Sequence, residues 1–569
     1  MRVRPPPRAP TEEKGDARRA LLKGFLPSRY WLFAGCIVAL VVSALVLSLH
    51  PSTGAMWSVG IFAVLVLVGI VDLVQKKHTL RRNFPLLAHF RYGLESIGPE
   101  MRQNFIESDT AENPFSRAQR AVVYQRAKDV LDKRPFGTQL DVYGDDYEWI
   151  NHSLQPAVIA SPDFRVRVGE QRALPYDASV FNISAMSFGS LSANAILALN
   201  AGAKKGGFYH DTGEGSISRY HREPGGDLVW EIGSGYFGCR GADGRFDADR
   251  FAKNAIDPQV KMIEIKLSQG AKPGHGGILP AAKVSVEIAA ARGIVPFVEC
   301  DSPAAHPEFS TPVGLLEFVD RLRTLSGGKP TGFKLAIGHP WEWFAIAKAM
   351  KATGITPDFI VVDGGEGGTG AAPLEFTNHV GAPMREALML VHNTLVGLDL
   401  RSQVRVAAAG KIVTAFDIAR TLALGADWCN AGRGYMFALG CIQSMSCHTD
   451  KCPTGIATQD PHRQAGLDPT DKAERVHNFH RNTLLALKEL LAAAGLTHPA
   501  QIGPEHIIRR VSSTEVRSLA TLHRFVPPGA LLDGGLPEHA VFQVFWNRAR
   551  PDSFAPPPEA AAMLATKLR

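Results

Sequence analysis

The sequence predicts an α/β protein: a (β/α)8 TIM barrel preceded by an N-terminal two-helix transmembrane hairpin and flanked by helical segments. Three observations carry this. From about residue 156 onward, short β-branched runs alternate with alanine-rich helical stretches, the texture of repeated βα units. Eight such runs can be counted, the number that a closed parallel barrel needs. Ahead of them stand two unbroken apolar stretches, residues 31–49 and 56–74, each 19 residues long and so able to cross a bilayer as a helix.

In chain order, residues 1–30 are basic and proline-rich at their start, a composition expected to be disordered. The stretch 17–23, with Arg18 and Arg19, resembles a twin-arginine export signal; a first apolar run too long for a signal, followed by a second, argues against that reading. Residues 31–75 then form the hairpin. Basic residues flank its outer ends (Arg18, Arg19, Lys23 and Arg29 before it, Lys76, Lys77, Arg81 and Arg82 after it), and the link at 51–54 has none. The positive-inside rule therefore predicts a two-span protein of the cell membrane with its catalytic domain in the cytoplasm. Much of the formal net charge of +7 is this local excess, and no nucleic-acid-binding signature accompanies it.

Residues 76–150 read as a helical and loop-rich lead into the barrel, with helical patterning from 86 to about 133. The barrel is expected over 151–465, with strands at 180–184, 207–210, 262–266, 295–300, 332–336, 359–363, 404–408 and 428–431. Helices are expected at 193–205, 283–292, 315–325, 342–353, 384–396 and 414–424. Residues 466–569 are a helical C-terminal extension that starts with a long helix at 469–494 and ends in a wrapping tail with a short final helix.

In such a barrel the working residues sit just past the strand ends. The first strand is followed by Ala185, Met186 and Ser187, the second by Glu214, the third by Lys266 with Gln269 and Lys272, the fourth by residues 299–302. Lys334 lies on the fifth; Gly367, Gly368 and Thr369 follow the sixth; Gly410 and Lys411 the seventh; Gly432 and Arg433 the eighth. The last two are the usual phosphate positions of this fold, where glycine lets backbone N–H groups approach an anion and Lys411 and Arg433 add charge. The phosphate of FMN fits there. Residues 365–370 formally match G-x-G-x-x-G, but a barrel setting without a long following helix turns that motif into a backbone cradle over a flat cofactor rather than a dinucleotide fingerprint. Lys266, Lys272 and Lys334 at one mouth suit a dicarboxylate, although each alone reads as a solvated lysine. Glu214 is the carboxylate placed to steer an amine or imine proton; its plain alternative is a loop cap.

Three of the seven cysteines, Cys441, Cys447 and Cys452, fall in one loop at 441–453 that closes on Cys452-Pro453. That is how iron–sulfur loops often end. Three thiolates leave one corner of a cubane without a ligand, which favours a 3Fe-4S cluster. Zinc held with His448 fits the spacing poorly, and buried thiols that bind nothing are the bland alternative.

The strings LGCIQSMSCHTDKCPTGIATQ, SAMSFGSLS, IEIKLSQGAKPGHGGILP and GGEGGTGAAP, in that family's order along 180–459, resemble the synthase domain of the glutamate synthase large subunit. The hairpin and residues 84–139 look like its membrane-anchored branch, the FMN-binding glutamate synthase-related proteins. The resemblance implies FMN in the barrel mouth and a 3Fe-4S cluster on Cys441, Cys447 and Cys452. It also implies reductive amination, in which 2-iminoglutarate takes a hydride and becomes L-glutamate. Electrons would come from an outside donor: ferredoxin, a reductase subunit or a membrane donor. Lys266 and Lys334 would hold substrate carboxylates, Ser187 would face the flavin, and Gly368, Thr369 and Gly410 would lie along it.

Two departures shape the expectation. The chain starts Met1-Arg2 and enters a membrane hairpin instead of a glutaminase domain, so ammonia is expected from solution or from a partner. And Gly274 to Pro280 reads GHGGILP where the family has GEGGQLP, with Ile278 in place of a polar residue that touches the keto acid. The alternatives are an electron-transfer flavoprotein tethered to the membrane, and an amine-transfer enzyme of the N-methylglutamate synthase type.

Overall fold

The computed structural model describes residues 27–96, 114–532, 534 and 537–556. The chain divides into two compact units at Glu107 and Ser108. The expected disordered lead up to residue 26, the twin-arginine stretch, the helical patterning across 97–113 and any helix past 556 lie outside the described residues.

In the first unit, helices Trp31–Leu49 and Thr53–Val74 pack as a hairpin. Ser52 caps the second, its Oγ accepting from Ala55 N at 3.2 Å. Gly69 admits the Phe33 ring of the first: a Cβ there would stand 2.3 Å from it. Both helices are long and apolar enough to cross a membrane. Their outer faces are open, with Trp57 at 70% and Leu67 at 62% exposure, so they are not core helices of this unit.

The second unit is built on a closed parallel barrel whose strands follow sequence order. They are β1 (Phe181–Ile183), β2 (His210–Asp211), β3 (Leu228–Ile232), β4 (Val260–Lys266), β5 (Thr331–Leu335), β6 (Phe359–Asp363), β7 (Arg405–Ala409) and β8 (Trp428–Ala431). β8 closes on β1 through Cys429–Phe181 and Asn430–Asn182 pairing. Helices Ala193–Gly206, Pro312–Leu325, Pro340–Thr353, Met384–Gly397 and Ala415–Ala423 pack outside, within a few residues of expectation.

One expected strand is corrected. Residues 295–300 are not in the barrel: Val295, Phe297 and Val298 are more than half exposed, and only Cys300–Asp301 pairs, antiparallel, with Ile278–Leu279. The true third strand is Leu228–Ile232. It is hard to see in the sequence because the connection from β2 carries only the four-residue helix Arg219–Arg222, which breaks the βα rhythm, and because Glu231 interrupts its apolar run. Lys266 therefore ends the fourth strand, and residues 299–302 belong to an excursion over the strand ends.

The flanks fix this end of the barrel. The 25-residue helix Pro469–Ala493 lies along Ala193–Gly206, where Gly202 admits Val476 (a Cβ would meet it at 2.5 Å). It also packs on Arg117–Ala127, whose Tyr124 hydroxyl donates to Cys441 O at 2.6 Å. The strand Glu148–Ile150 pairs with Ile507–Arg510, and buried Glu148 accepts from Arg385 and Arg420, each at 2.8 Å.

Candidate active site

Strands β2 to β6 each turn one charged side chain into the barrel: Asp211, Glu231, Glu264, Lys334 and Asp363. Carboxylate oxygens of Asp211, Glu231 and Glu264 all lie within 4.8 Å of one another, and all three residues are buried. Lys334 Nζ bonds Glu231 and stands 3.4 Å from Glu264 Oε1. Burial, then the charges of Asp211 and Asp363, push Glu264 well above the usual carboxylate range, so it holds its proton. Burial also raises Asp211 and Asp363. The Lys334 ammonium is thus committed to this inner cluster.

A second cluster stands further out. Glu214, in the loop after β2, pairs with Lys266 at the end of β4, Nζ to Oε1 3.0 Å. Burial alone would raise Glu214; the charge and hydrogen bond of Lys266, with Arg292 and Lys272, outweigh it and leave Glu214 below its ordinary value, a carboxylate. Lys272 is buried, and burial lowers its pKa against the pull of Glu214. Gly277 closes over the pair, since a Cβ there would stand 2.2 Å from Glu214 Oε1. Arg292, at the end of helix Val286–Arg292, completes the positive side and donates to Phe188 O at 3.2 Å. Sequence reasoning missed it; the signal was an arginine closing an alanine-rich helix just before Gly293.

Loops after β4 and β6 are stitched together. Gly270 N donates to Asp363 Oδ2 at 2.9 Å, and Gln269 Nε2 reaches Thr369 Oγ1 at 3.4 Å. Gly270 has to be glycine: a Cβ would fall 1.7 Å from Gly364 O. Gln269, Gly367, Gly368 and Thr369 are so brought to one side. Gly368 meets Arg433, whose guanidinium donates to Glu366 O at 2.5 Å and lies 4.8 Å over the Phe115 ring. Gly410 sits tight against Met384 and Glu366. Gly432 is open, with nothing nearer to its Cβ position than Met186 Sδ at 3.7 Å and Ser184 Cβ at 3.9 Å. Ala185, Met186 and Ser187 follow β1; Ser187 Oγ donates to Ser190, and its backbone N stands 2.6 Å from a Cβ built on Gly213.

The cysteine loop adjoins this corner. Helix Arg433–Leu439 runs from the expected phosphate position to Cys441. The loop is clamped to the one after β1: Ser192 N and Oγ donate to Ile456 O and Gly455 O at 2.8 and 2.7 Å, and Gln459 Nε2 donates to Gly189 O and Leu191 O. Gln443, Met445 and Asp450 hold positive φ of 56°, 53° and 60°, backbone strain gathered in one short loop. The three thiols are free and lie within each other's electrostatic reach; burial pushes Cys441 up to about 12 and raises Cys447. Lys283 donates to Ser190 O and Ala457 O, and its charge pulls Cys447 the other way.

These residues fit the groups that the sequence implies. Open space at Gly432 and the ammonium of Lys411, which makes no hydrogen bond or ion pair among the described residues, suit a phosphate end. Three thiols, Cys452 buried and Cys441 and Cys447 half-buried, beside a lysine on a strained loop, suit a cluster whose iron would supply the positive charge that a thiolate needs there.

Comparison with known proteins decides the family. Residues 166–497, more than half of the chain, match the description "conserved region in glutamate synthase". The chain belongs to the glutamate synthase family. It is an oxidoreductase of that type. It is 37% identical over 499 residues to the glutamate synthase large subunit-like protein YerD of Bacillus subtilis, covering 80% of this chain and 95% of that one. The archaeal NADPH glutamate synthase of Methanocaldococcus jannaschii is 34% identical over 352 residues, 62% of this chain and 65% of its own length. Against the large chain of the Bacillus subtilis NADPH enzyme, identity is 32% over 337 residues, and this chain spans only 21% of that length. A flavocytochrome b2 variant with pyruvate bound aligns over 78% of this chain and 96% of its own at a TM-score of 0.39 and 13% identity, too slight a likeness to argue from.

Proposed function

We propose that this glutamate synthase family member is a membrane-tethered oxidoreductase that reductively aminates a 2-oxo acid, taking 2-oxoglutarate through 2-iminoglutarate to L-glutamate. The observation that carries the reading is the Glu214–Lys266 pair with Lys272 beside it. A carboxylate and two ammonium groups in one largely buried place suit a dicarboxylic keto acid and the proton that its incoming amine must lose. Lys266, Lys272 and Gln269 hold the substrate's carboxylates. Lys334, expected beside them, is held by Glu231 in the inner cluster and supports the site from beneath. Glu214 takes a proton as ammonia adds to the keto carbon and returns it to the resulting hydroxyl, which leaves as water to give the imine, and the opening of its ion pair turns Lys266 toward the substrate. Gly277 and the loop around it keep water from the carbon being reduced.

FMN supplies, when bound, the hydride that with one proton converts imine to amine. Ala185, Met186, Ser187, Gly367, Gly368 and Thr369 would hold its ring, and Gly410, Lys411, Gly432 and Arg433 its phosphate. Cys441, Cys447 and Cys452 would hold a 3Fe-4S cluster fed by a ferredoxin, a reductase subunit or a membrane donor. Ammonia comes from solution or from a supplying partner. Residues 31–75 anchor the chain in the cell membrane, 76–150 connect, 151–465 form the cytoplasmic barrel and 466–569 extend it.

Anaerobic absorbance of the detergent-purified, photoreduced protein tests this. The flavin band should return only when 2-oxoglutarate and ammonium are both present. Return with methylamine but not ammonium would move the reading to another amine. No response to any oxo acid would sink it in favour of an electron-transfer role.

A further inference from the structure

Helix Leu87–Ser96, in the first unit, carries an exposed apolar stripe. Leu87, Phe90 and Leu94 are 51%, 69% and 48% exposed, and their spacing of three and four puts them on one face. The opposite face is packed. Ala88 is buried, and Tyr92 meets His78 edge-on at 5.5 Å and takes the Arg81 guanidinium over its ring at 5.0 Å.

The level of this helix is fixed by Asp72, which lies in the last turn of the second long helix and is 2% exposed. Its Oδ2 accepts from Leu86 N at 3.0 Å, and both its oxygens stand 2.8 Å from His89 Nε2. A helical side chain leans toward its helix N-terminus, here back along the apolar segment. A ring held by that carboxylate therefore lies beside the last turn and not beyond it. Val71 and Val74, on that turn, are themselves 57% and 72% exposed, so the stripe continues an apolar surface already present. Lys76, Lys77, Arg81 and Arg82 follow that turn directly in the chain.

We propose that Leu87–Ser96 lies in the membrane–water interface, with Leu87, Phe90 and Leu94 in the acyl chains and the four basic residues drawn to anionic headgroups. The inference rests on the two long helices being spans, and it adds a surface that holds the first segment after them flat on the leaflet. A short amphipathic helix with an aromatic on its apolar face and basic residues nearby is the chemistry that such interfaces take. Asp72 and His89 answer each other's polarity where the span leaves the hydrocarbon, so the pin needs no water of its own.

The test uses the full-length protein in vesicles of phosphatidylglycerol and phosphatidylethanolamine with a trace of lipid carrying an acyl-chain diazirine. After photolysis, labelled peptides are mapped by mass spectrometry. Peptides from both spans and from 87–94 should carry label. In the Phe90→Asp/Leu94→Asp variant, labelling of 87–94 should fall about tenfold with span labelling unchanged. In vesicles of phosphatidylcholine alone, labelling of 87–94 should fall relative to the spans. Labelled spans with a bare helix would overturn the proposal and leave the stripe to protein. If the spans are bare as well, the membrane reading itself falls.

Discussion

The barrel holds two clusters of the same residue types that differ in how much is left over. The inner one places Asp211, Glu231 and Glu264 around Lys334, with Asp363 nearby; the outer one sets Glu214 against Lys266, Lys272 and Arg292. Inside, acids outnumber the lysine, burial holds a proton on Glu264, and no positive charge is left over. Outside, cations outnumber the acid, and that excess is what a dicarboxylate can use. Composition alone would rank the two alike; the count of charges in each ranks them apart.

Breaking the inner cluster should have the largest effect, and on folding. Lys334→Met leaves Glu231 buried beside two further acids, and removing one partner of a buried pair costs about 3–5 kcal/mol. Urea unfolding of the full-length protein in detergent should register that loss, and Glu231→Gln in the same chain should recover most of it. An equally stable Lys334→Met would mean that the inner pair is not formed.

The outer cluster should fail differently. Lys266→Met ought to lower turnover about 10²- to 10³-fold while costing less stability than Lys334→Met, because Lys272 and Arg292 still offset Glu214. Steady-state kinetics with a saturating donor, alongside a melting curve, separates the two outcomes. A variant that loses as much stability as Lys334→Met would erase the distinction between the clusters.

One cluster is legible in the sequence and the other is hidden. Strands β6 and β8 stand at their expected bounds because each is a short, mostly apolar run between turns, broken only by Asp363 at the end of one and Asn430 in the other. Glu214, Lys266 and Lys272 can be named because they sit in glycine-rich stretches just past strand ends. Lys334 can be named with them, yet the side chain that claims it, Glu231, lies on the strand that the βα rhythm conceals. Without β3, the period-two geometry of β2, β3 and β4 cannot show three acids converging. Arg292 can be seen as the last residue of a helix, but its approach to Glu214 cannot: that depends on the excursion 267–310 folding back over the barrel, a tertiary path that no local pattern encodes.

Gly277 offers a sharper cut through the outer cluster alone. A methyl at that position would collide with Glu214 Oε1. Gly277→Ala should push the carboxylate off Lys266, at about 1–3 kcal/mol of strain, and raise KM for the oxo acid more than it lowers stability. Gly293→Ala is the control, with positive φ but nothing within 4 Å of its Cβ position. It should cost stability and leave KM alone.

The finest difference is in pH dependence, where the two clusters should have opposite signs. Glu214 has a folded pKa below its unfolded value of about 4.3. The stability that it contributes is present above that value and is lost as pH falls through the folded pKa. The Asp211–Glu264 pair holds a proton that the unfolded chain gives up, because its folded pKa is raised. Its contribution is complete below about 4.3 and is lost as pH rises from there through the folded pKa. Glu214→Gln should therefore flatten the acid limb of a stability profile, and Glu264→Gln the limb above it, each by about 1.4 kcal/mol for every tenfold difference in proton affinity that the substitution abolishes. Urea midpoints taken across pH 3 to 8 (roughly the span between the two regimes) would register both. If Glu264→Gln changed the acid limb instead, the inner cluster would be ionised after all, and Lys334 alone could not balance it.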